Sequence, residues 1–151
     1  MEMSSISINK DDLDLGIAVW TGNLDRVRFL LDKGAKVDQT NSIGETMLML
    51  ACRSDRLEVV RELCCRGANV NYVLTDGSGL TPLIIASKMG KLDVVRELCD
   101  RGANIKAEMF NGLNSIMIAE KEGCDDIVQE LCMREGGLNV YLKTMQLIYG
   151  E

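Results

Sequence analysis

Short apolar stripes separated by glycine recur along the chain, and residues 79–103 show the pattern most clearly. Thr81 can cap a helix, and Pro82 suits its first turn because the missing N–H would have no partner there. Gly90 ends that helix, and the apolar residues that follow return at helical spacing. Gly102 fits the left-handed position after a second helix. The stretch therefore predicts two short helices joined by a tight turn, each too short to be stable alone.

The same two-helix unit recurs at a nearly constant spacing. The alanine of the first helix repeats at intervals of 33, 35 and 33 residues, at Ala18, Ala51, Ala86 and Ala119. The glycine that closes the second helix repeats in step, at Gly34, Gly67 and Gly102 and then at Gly136 or Gly137. A fixed period in this range indicates a repeat array. The longer interval falls on residues 73–79, so we expect the insertion in a loop between repeats.

These motifs resemble the ankyrin repeat: T-P-L at a first helix, G-x-L-x-V-V into a second, and G-A-N-x-N after it. The resemblance implies an all-α solenoid of stacked helix-turn-helix units with β-turn or hairpin loops. Residues 141–151 are predicted either to cap the array or to begin a truncated fifth repeat. The predicted organisation is a lead-in over 1–9, a repeat domain over 10–140 with repeats at about 10–39, 40–74, 75–108 and 109–140, and the segment 141–151.

The chain departs from the family pattern at two kinds of position. It contains no histidine, and Met49, Ile84 and Met117 stand where the T-P-L-H motif of the family has one. The resemblance implies that apolar packing replaces the hydrogen bonds which that histidine makes between repeats. Asp55 stands where a turn glycine is expected, so we predict a left-handed backbone at this residue.

Composition narrows the classes of function. A net charge of −6 argues against non-specific nucleic-acid binding, which depends on neutralising phosphates. The absence of histidine excludes histidine ligands and every Ser-His or Cys-His nucleophile. The D-x-D-x-D-G spacing of a calcium loop does not occur. We therefore expect no enzymatic activity, no metal and no cofactor.

Six cysteines invite a disulfide or zinc interpretation, but no C-x-x-C occurs. Cys64, Cys99 and Cys132 occupy one repeat position after Glu-Leu, where a small buried hydrophobe explains them. Thiols that stay reduced, together with the lack of a signal-peptide core in residues 1–10, predict a cytoplasmic protein, with the nucleus as the alternative. No apolar run reaches transmembrane length, so we expect no membrane insertion, and we expect a monomer.

The resemblance also implies a concave face, lined by the loops before each first helix and by the exposed side of that helix. Trp20 is the only tryptophan and Phe110 one of two phenylalanines, and both would add apolar surface to a partner site. The alternative is that Trp20 packs against the N-terminal segment. The predicted partner-binding residues are Trp20, Thr21, Ser42, Ile43, Glu45, Arg53, Ser54, Ser78, Leu80, Lys88, Met89, Phe110, Asn111, Leu113, Lys121 and Glu122.

Two further residues match a modification site of the family. The resemblance places Asn71 and Asn139 at the hairpin asparagine that an asparaginyl hydroxylase can modify, each eight residues after a leucine. Hydroxylation of both asparagines is therefore an additional hypothesis, separate from the partner-binding residues.

Three functions stay open at this point. The first is a non-catalytic module that holds another protein on the concave face. The second is a structural or spacer fragment of a longer ankyrin array, and the third is an enzyme inhibitor of the short ankyrin-stack type. The outer side of the final segment separates the first two, because an open apolar face favours a docked neighbour.

Overall fold

A computed structural model describes residues 10–150, except the side chains of Asp11, Asp12 and Ile148. The predicted lead-in of residues 1–9 and the last residue, Glu151, lie outside the described residues. Within the described range the chain is all-α, which confirms the predicted class. Its helices are α1 (Lys10–Thr21), α2 (Leu24–Asp32), α3 (Met47–Arg53), α4 (Leu57–Cys65), α5 (Pro82–Lys88), α6 (Leu92–Asp100), α7 (Ser115–Lys121), α8 (Asp125–Glu135) and α9 (Leu138–Ile148).

The short helices α3, α5 and α7 each begin at a polar side chain that caps them. Thr46 and Thr81 each accept a hydrogen bond from the backbone N–H of the third residue of the following helix at 3.3 Å. Asn114 accepts the corresponding bond at 3.1 Å. Pro82 occupies the first turn of α5, as predicted. These side chains satisfy N–H groups that would otherwise lack a partner, and they fix where the first helix of each repeat starts.

The turn from a first helix to a second requires a left-handed residue. Gly22, Gly90 and Gly123 take φ values of 76°, 69° and 72°, and Asp55 fills the same position with φ 56°. The prediction for Asp55 is confirmed, because aspartate tolerates this region better than most residues. Each second helix begins two residues after this left-handed residue, at Leu24, Leu57, Leu92 and Asp125.

The chain divides into two compact units, with the boundary between Ala68 and Asn69. In unit 1, α1 packs against α3 and α2 packs against α4. In unit 2, α5 packs against α7 and α6 packs against α8. Within each unit, first helices thus lie beside first helices and second beside second. The core of each is aliphatic, as the near-absence of aromatic residues predicts, with Leu48, Val60 and Leu63 buried in unit 1 and Leu83, Leu98 and Leu131 in unit 2.

The residues that replace the family histidine do not all pack alike. Met49 and Ile84 are 0% and 1% exposed, as predicted, but Met117 is 44% exposed. The prediction of apolar packing is therefore wrong for Met117. The reason is that α7 has a first helix, α5, on one side only, because α9 packs against α8.

The last helix differs from the first helices of the repeats. Only Gly136 and Gly137 separate α8 from α9, whereas residues 33–46 separate α2 from α3. Gly137 is the left-handed residue of this link, with φ 75°. α9 thus lacks the loop that precedes a first helix, and it covers α8. Its solvent side is mixed: Leu142 and Leu147 are 53% and 85% exposed, and Asn139, Lys143 and Gln146 are exposed as well.

Candidate functional site

The hairpin before α3 has a tip that is fixed by backbone and asparagine hydrogen bonds. The Asn41 N–H donates to the Glu45 carbonyl at 2.9 Å, and the Gly44 N–H donates to the Asn41 carbonyl at 3.0 Å. The Asn41 side-chain oxygen accepts from the N–H groups of Ile43 and Glu45 at 3.1 and 3.0 Å. Ser42 and Ile43 stay exposed at the tip, Ile43 by 64%.

Glu45 closes this hairpin from the inside. The sequence predicted it on the exposed face, but the residue is only 2% exposed. Its Oε1 accepts hydrogen bonds from Arg53 Nε at 3.0 Å and from Arg53 Nη2, and Asn41 Nδ2 donates to Oε2 at 3.3 Å. A carboxylate is tolerated in this position because a guanidinium and an amide replace the water it loses. Glu45 and Arg53 therefore serve the fold of unit 1 before any contact with a partner.

Trp20 lies near the end of α1 with its side chain 54% exposed. Its backbone carbonyl accepts a hydrogen bond from Arg56 Nε at 3.0 Å. A Cβ at Gly22 would lie 2.8 Å from Cδ of Arg56, so the arginine lies directly on this turn. The alternative for Trp20, packing against the N-terminal segment, concerns residues outside the described part of the chain. Thr21 and Ser54 both donate their hydroxyls to backbone carbonyls of their own helices, at 2.8 and 2.6 Å.

The hairpin before α7 in unit 2 repeats the backbone bonds of the hairpin before α3. The Met109 N–H donates to the Leu113 carbonyl at 2.8 Å, and the Gly112 N–H donates to the Met109 carbonyl at 2.9 Å. Phe110 stands at the tip with its ring 89% exposed. The backbone of Phe110 is nevertheless fixed, because its N–H donates to the carbonyl of Ser78 at 3.0 Å.

Ser78 belongs to the loop before α5, which carries the insertion. Here the Leu74 N–H donates to the Leu80 carbonyl at 2.8 Å, a span of six positions where the hairpin before α7 spans four. The two extra residues thus lie in the loop between repeats, as the spacing predicted, and the structure places them at its tip. A Cβ at Gly79 would lie 2.9 Å from the Met109 Cα, so the two loop backbones touch. Hydrogen bonds from the Ser78 hydroxyl and N–H also hold the pKa of Asp76 below its usual value.

The opposite ends of α5 and α7 are also neighbours. A Cβ at Gly90, just after α5, would lie 3.3 Å from Sγ of Cys124, just after the turn that ends α7. With loops adjacent at one end and turns adjacent at the other, α5 and α7 run side by side in the same direction. Met89, at the end of α5, is 41% exposed and lies at the turn that touches Cys124.

The predicted partner-binding residues therefore differ in how much of each is accessible. Glu45 is buried, while Arg53, Ser54, Ser78, Leu80 and Leu113 are half-buried. Sequence reasoning missed Met117, which it assigned to the core. The signal that identifies it is the two-glycine link to α9, which leaves no first helix to cover α7. The exposed members of the set are Trp20, Thr21, Ser42, Ile43, Lys88, Met89, Phe110, Asn111, Lys121 and Glu122.

The two asparagines proposed for hydroxylation lie in unlike places. Asn71 is exposed, and its side chain connects two loops of unit 2: Oδ1 accepts from the Asn104 N–H at 2.7 Å and Nδ2 donates to the Gly102 carbonyl at 3.1 Å. Asn139 is the second residue of α9, so the predicted hairpin position is wrong for it. The cause is again the short link, which leaves no room for a hairpin after α8.

The cysteines show no sign of a metal or redox centre. Cys132 is buried, as predicted, while Cys64 and Cys99 are half-buried. Burial raises the pKa of Cys99 to about 11, which keeps its thiol protonated and a poor nucleophile. Residues 10–150 contain no group of three or more His, Cys, Asp or Glu side chains placed to hold a metal ion. No helix in the same range is long and apolar enough to cross a bilayer.

Comparison with known proteins identifies the repeats. A family model described as ankyrin repeats (3 copies) matches residues 9–73 and 72–144. The protein named "Ankyrin repeat, SAM and basic leucine zipper domain-containing protein 1" of Bos taurus is 44% identical over 55 residues, 36% of this chain and 12% of that protein. "Probable E3 ubiquitin-protein ligase XBOS33" of Oryza sativa subsp. japonica is 46% identical over 56 residues, 37% and 11% of the two chains. The matched segments thus span at most 12% of these relatives' own length.

Proposed function

The chain belongs to the ankyrin repeat family, and we propose that it is a non-catalytic module that binds a partner protein through its hairpin tips and first-helix ends. Ankyrin repeats are generally protein–protein interaction modules, and the family is typically non-enzymatic. The observation that carries the proposal is Phe110, a large aromatic ring that is 89% exposed on a loop whose backbone is held in place.

An exposed aromatic ring on a rigid loop suits recognition for two energetic reasons. Burying a phenylalanine side chain against a partner contributes about 1.5–3 kcal/mol. The hydrogen bond from Phe110 to Ser78, and the contact of Gly79 with Met109, order the loop before a partner arrives. Little conformational entropy is then lost on binding, so most of the gain from burial is retained.

Unit 1 offers a second set of candidate contacts. Trp20 and Ile43 are 54% and 64% exposed, one at the end of α1 and the other at the hairpin tip before α3. Tryptophan is among the residues enriched at binding hot spots. Binding of this kind across the active site of an enzyme would make the chain an inhibitor, which is one form of the same proposal.

The test uses the two phenylalanines as a matched pair. Phe29 on α2 is 48% exposed, and its ring lies beside the Arg26 guanidinium and the Lys33 ammonium at 5.2 and 5.5 Å. We expect a protein that wild type and Phe29→Ala recover from a lysate to be recovered about tenfold less by Phe110→Ala. Titration of that protein, once purified, should give the same ranking of Kd. Equal binding by Phe110→Ala, with unchanged circular dichroism, would contradict the assignment.

A second candidate, a structural or spacer element of a longer array, is favoured by the open side of α9. Leu138, Leu142 and Leu147 are exposed by 63%, 53% and 85%, and exposed leucines in this number favour a neighbouring segment that covers some of them. If this function applies instead, Leu142→Lys/Leu147→Lys should reduce concentration-dependent association in sedimentation velocity. Phe110→Ala should then leave every interaction unchanged.

A further inference from the structure

Carboxylates gather at the turn between α7 and α8 in unit 2. The stretch Glu120 to Asp126 reads E-K-E-G-C-D-D. Burial, then the carboxylates of Asp126, Glu122 and Asp125, raise the pKa of the Cys124 thiol. Burial and the charge of Asp125 likewise raise the pKa of Glu120. Burial is the larger cause of both shifts, and the neighbouring carboxylates add to it; Lys88 and Lys121 are also exposed nearby.

None of these carboxylates is neutralised within the described part of the chain. On the other side of unit 2, the second helices pair their charges, as Arg96 does with Glu130 at 2.9 Å. Glu122, Asp125 and Asp126 are exposed and form no ion pair there. Their negative charge is therefore available to attract a cationic group of a partner that approaches the turn.

Exposed apolar side chains lie next to this negative charge. Met89 adjoins Gly90, which touches Cys124 across the two turns. Met117 lies on α7 three positions before Glu120, so the two side chains share one side of that helix. Phe110 precedes the start of α7, a helix of 7 residues and hence about 10 Å long. We call Met89, Phe110 and Met117, together with the carboxylates of residues 120–126, the unit 2 patch.

The equivalent positions of unit 1, which lie 68 residues earlier, do not form such a patch. Ser42 occupies the position equivalent to Phe110. Met49 occupies the position equivalent to Met117 and is 0% exposed. The corresponding turn reads C-R-S-D-R-L-E, with Arg56 in the position of Cys124. The combination of exposed apolar surface and unneutralised carboxylates is therefore particular to unit 2, and it is not a property of the repeat.

We propose that the unit 2 patch binds a partner segment that combines an apolar anchor with Lys or Arg side chains. The proposal rests on the proposed function and specifies the partner. The apolar residue would contact Phe110 and Met117, and the basic residues would reach Glu122 and Asp125. Phe110 lies before the start of α7 and Glu122 just after its end, so the two features are separated by at least the roughly 10 Å length of that helix. An extended segment would place them at least about three residues apart.

The experiment selects peptides from a random display library on the full chain. We expect the enriched peptides to contain Lys or Arg near Leu, Met or an aromatic residue. The affinity of a synthesised peptide should fall about tenfold in Glu122→Lys/Asp125→Lys, because two attractive contacts become repulsive. The control is Asp25→Lys/Glu58→Lys, which changes the net charge equally and, as Asp125→Lys does, alters the first turn of a second helix. This control should bind as wild type does.

The outcomes separate the inference from the proposed function. Peptides that lose affinity in Phe110→Ala but not in Glu122→Lys/Asp125→Lys would overturn the inference and leave the proposed function standing. Peptides that bind Phe110→Ala as tightly as wild type would contradict both. Enrichment of acidic or uncharged sequences, or of no sequence at all, would also overturn the inference. Loss in both variants, with binding that weakens as salt is added, would support it.

Discussion

The two hairpins before α3 and α7 have the same backbone conformation, but different contacts support them. Each has the same pair of backbone hydrogen bonds across its tip, and Gly44 and Gly112 take left-handed φ values of 83° and 78°. The first hairpin is supported by the ion pair between the buried Glu45 carboxylate and the Arg53 guanidinium. The second has Leu113 and Lys121 at those positions and is held from the side, by the loop of Ser78 and Gly79.

The difference shows how one repeat can serve stability and another recognition. In unit 1 the polar side chains of the hairpin form hydrogen bonds with one another. Ile43 is the main apolar side chain that this hairpin exposes to solvent. In unit 2 the neighbouring loop and the Asn111 side chain, which accepts a hydrogen bond from the Leu113 N–H at 3.2 Å, provide the support, so the Phe110 ring is not needed for it. Phe110 can then face solvent without weakening the hairpin that carries it.

The outer sides of the second helices show no such divergence. Arg28 and Arg66 both donate to Glu62 at 2.9 Å in unit 1. Arg96 and Arg134 donate to Glu130 at 2.9 and 2.7 Å in unit 2. The repeat thus keeps its ion pairs on the helix-2 side and varies the hairpin and turn. This pattern supports placing the partner contacts on the varied side.

The largest predicted effect concerns the lateral support in unit 2. Gly79→Ala combines a left-handed φ of 76° with a Cβ 2.9 Å from the backbone of Met109, so it should destabilise the chain by about 3 kcal/mol. Gly112→Ala has a similar φ of 78° but no atom within 4 Å of its Cβ, and should cost about 1 kcal/mol. Urea unfolding followed by circular dichroism measures both. Equal losses would show that the loops do not support each other.

The second prediction concerns the internal support in unit 1. Glu45→Leu leaves the half-buried Arg53 guanidinium without its carboxylate and should cost about 1.5 kcal/mol of unfolding free energy. Adding Arg53→Lys reproduces the pair of unit 2, and the double variant should return to within about 0.5 kcal/mol of wild type. The two single variants and the double variant complete a double-mutant cycle in urea. Additive losses would mean that the pair does not close the hairpin.

Much of the fold followed from the sequence because its signals are local. The period, the caps at Thr46 and Thr81 and the left-handed turn at Asp55 each depend on a few neighbouring residues. The insertion was placed in the correct loop because the register of the helices on either side of it is fixed by their apolar faces. Such features need no knowledge of distant contacts.

The errors arose where a distant contact decides the outcome. Glu45 was expected on the exposed face because of its position in the loop before a first helix, and its contacts with Asn41 and with Arg53 eight residues later explain its burial. Met117 and Asn139 were misplaced because the repeat pattern was continued past the point where Gly136 and Gly137 end it. The grouping of carboxylates at residues 120–126 was not predicted as a unit, since the sequence does not show which charges lack a cationic partner.

The smallest predicted effect tests whether the helix-2 ion pairs of the two units are equivalent. Hydrogen bonds from Arg28 and then Arg66 lower the pKa of Glu62, and those from Arg134 and Arg96 lower the pKa of Glu130. A lowered pKa stabilises the folded state above the unfolded value of about 4.3, and this contribution is lost as the pH falls through the folded pKa. Glu62→Gln and Glu130→Gln should therefore each cost about 0.5–1 kcal/mol at neutral pH, and their unfolding free energies should converge on wild type in acid. The measurement is urea unfolding across this pH range, with Glu58→Gln as an exposed control. A clearly larger loss for one of the two glutamates would show that the two networks share a geometry but differ in energy.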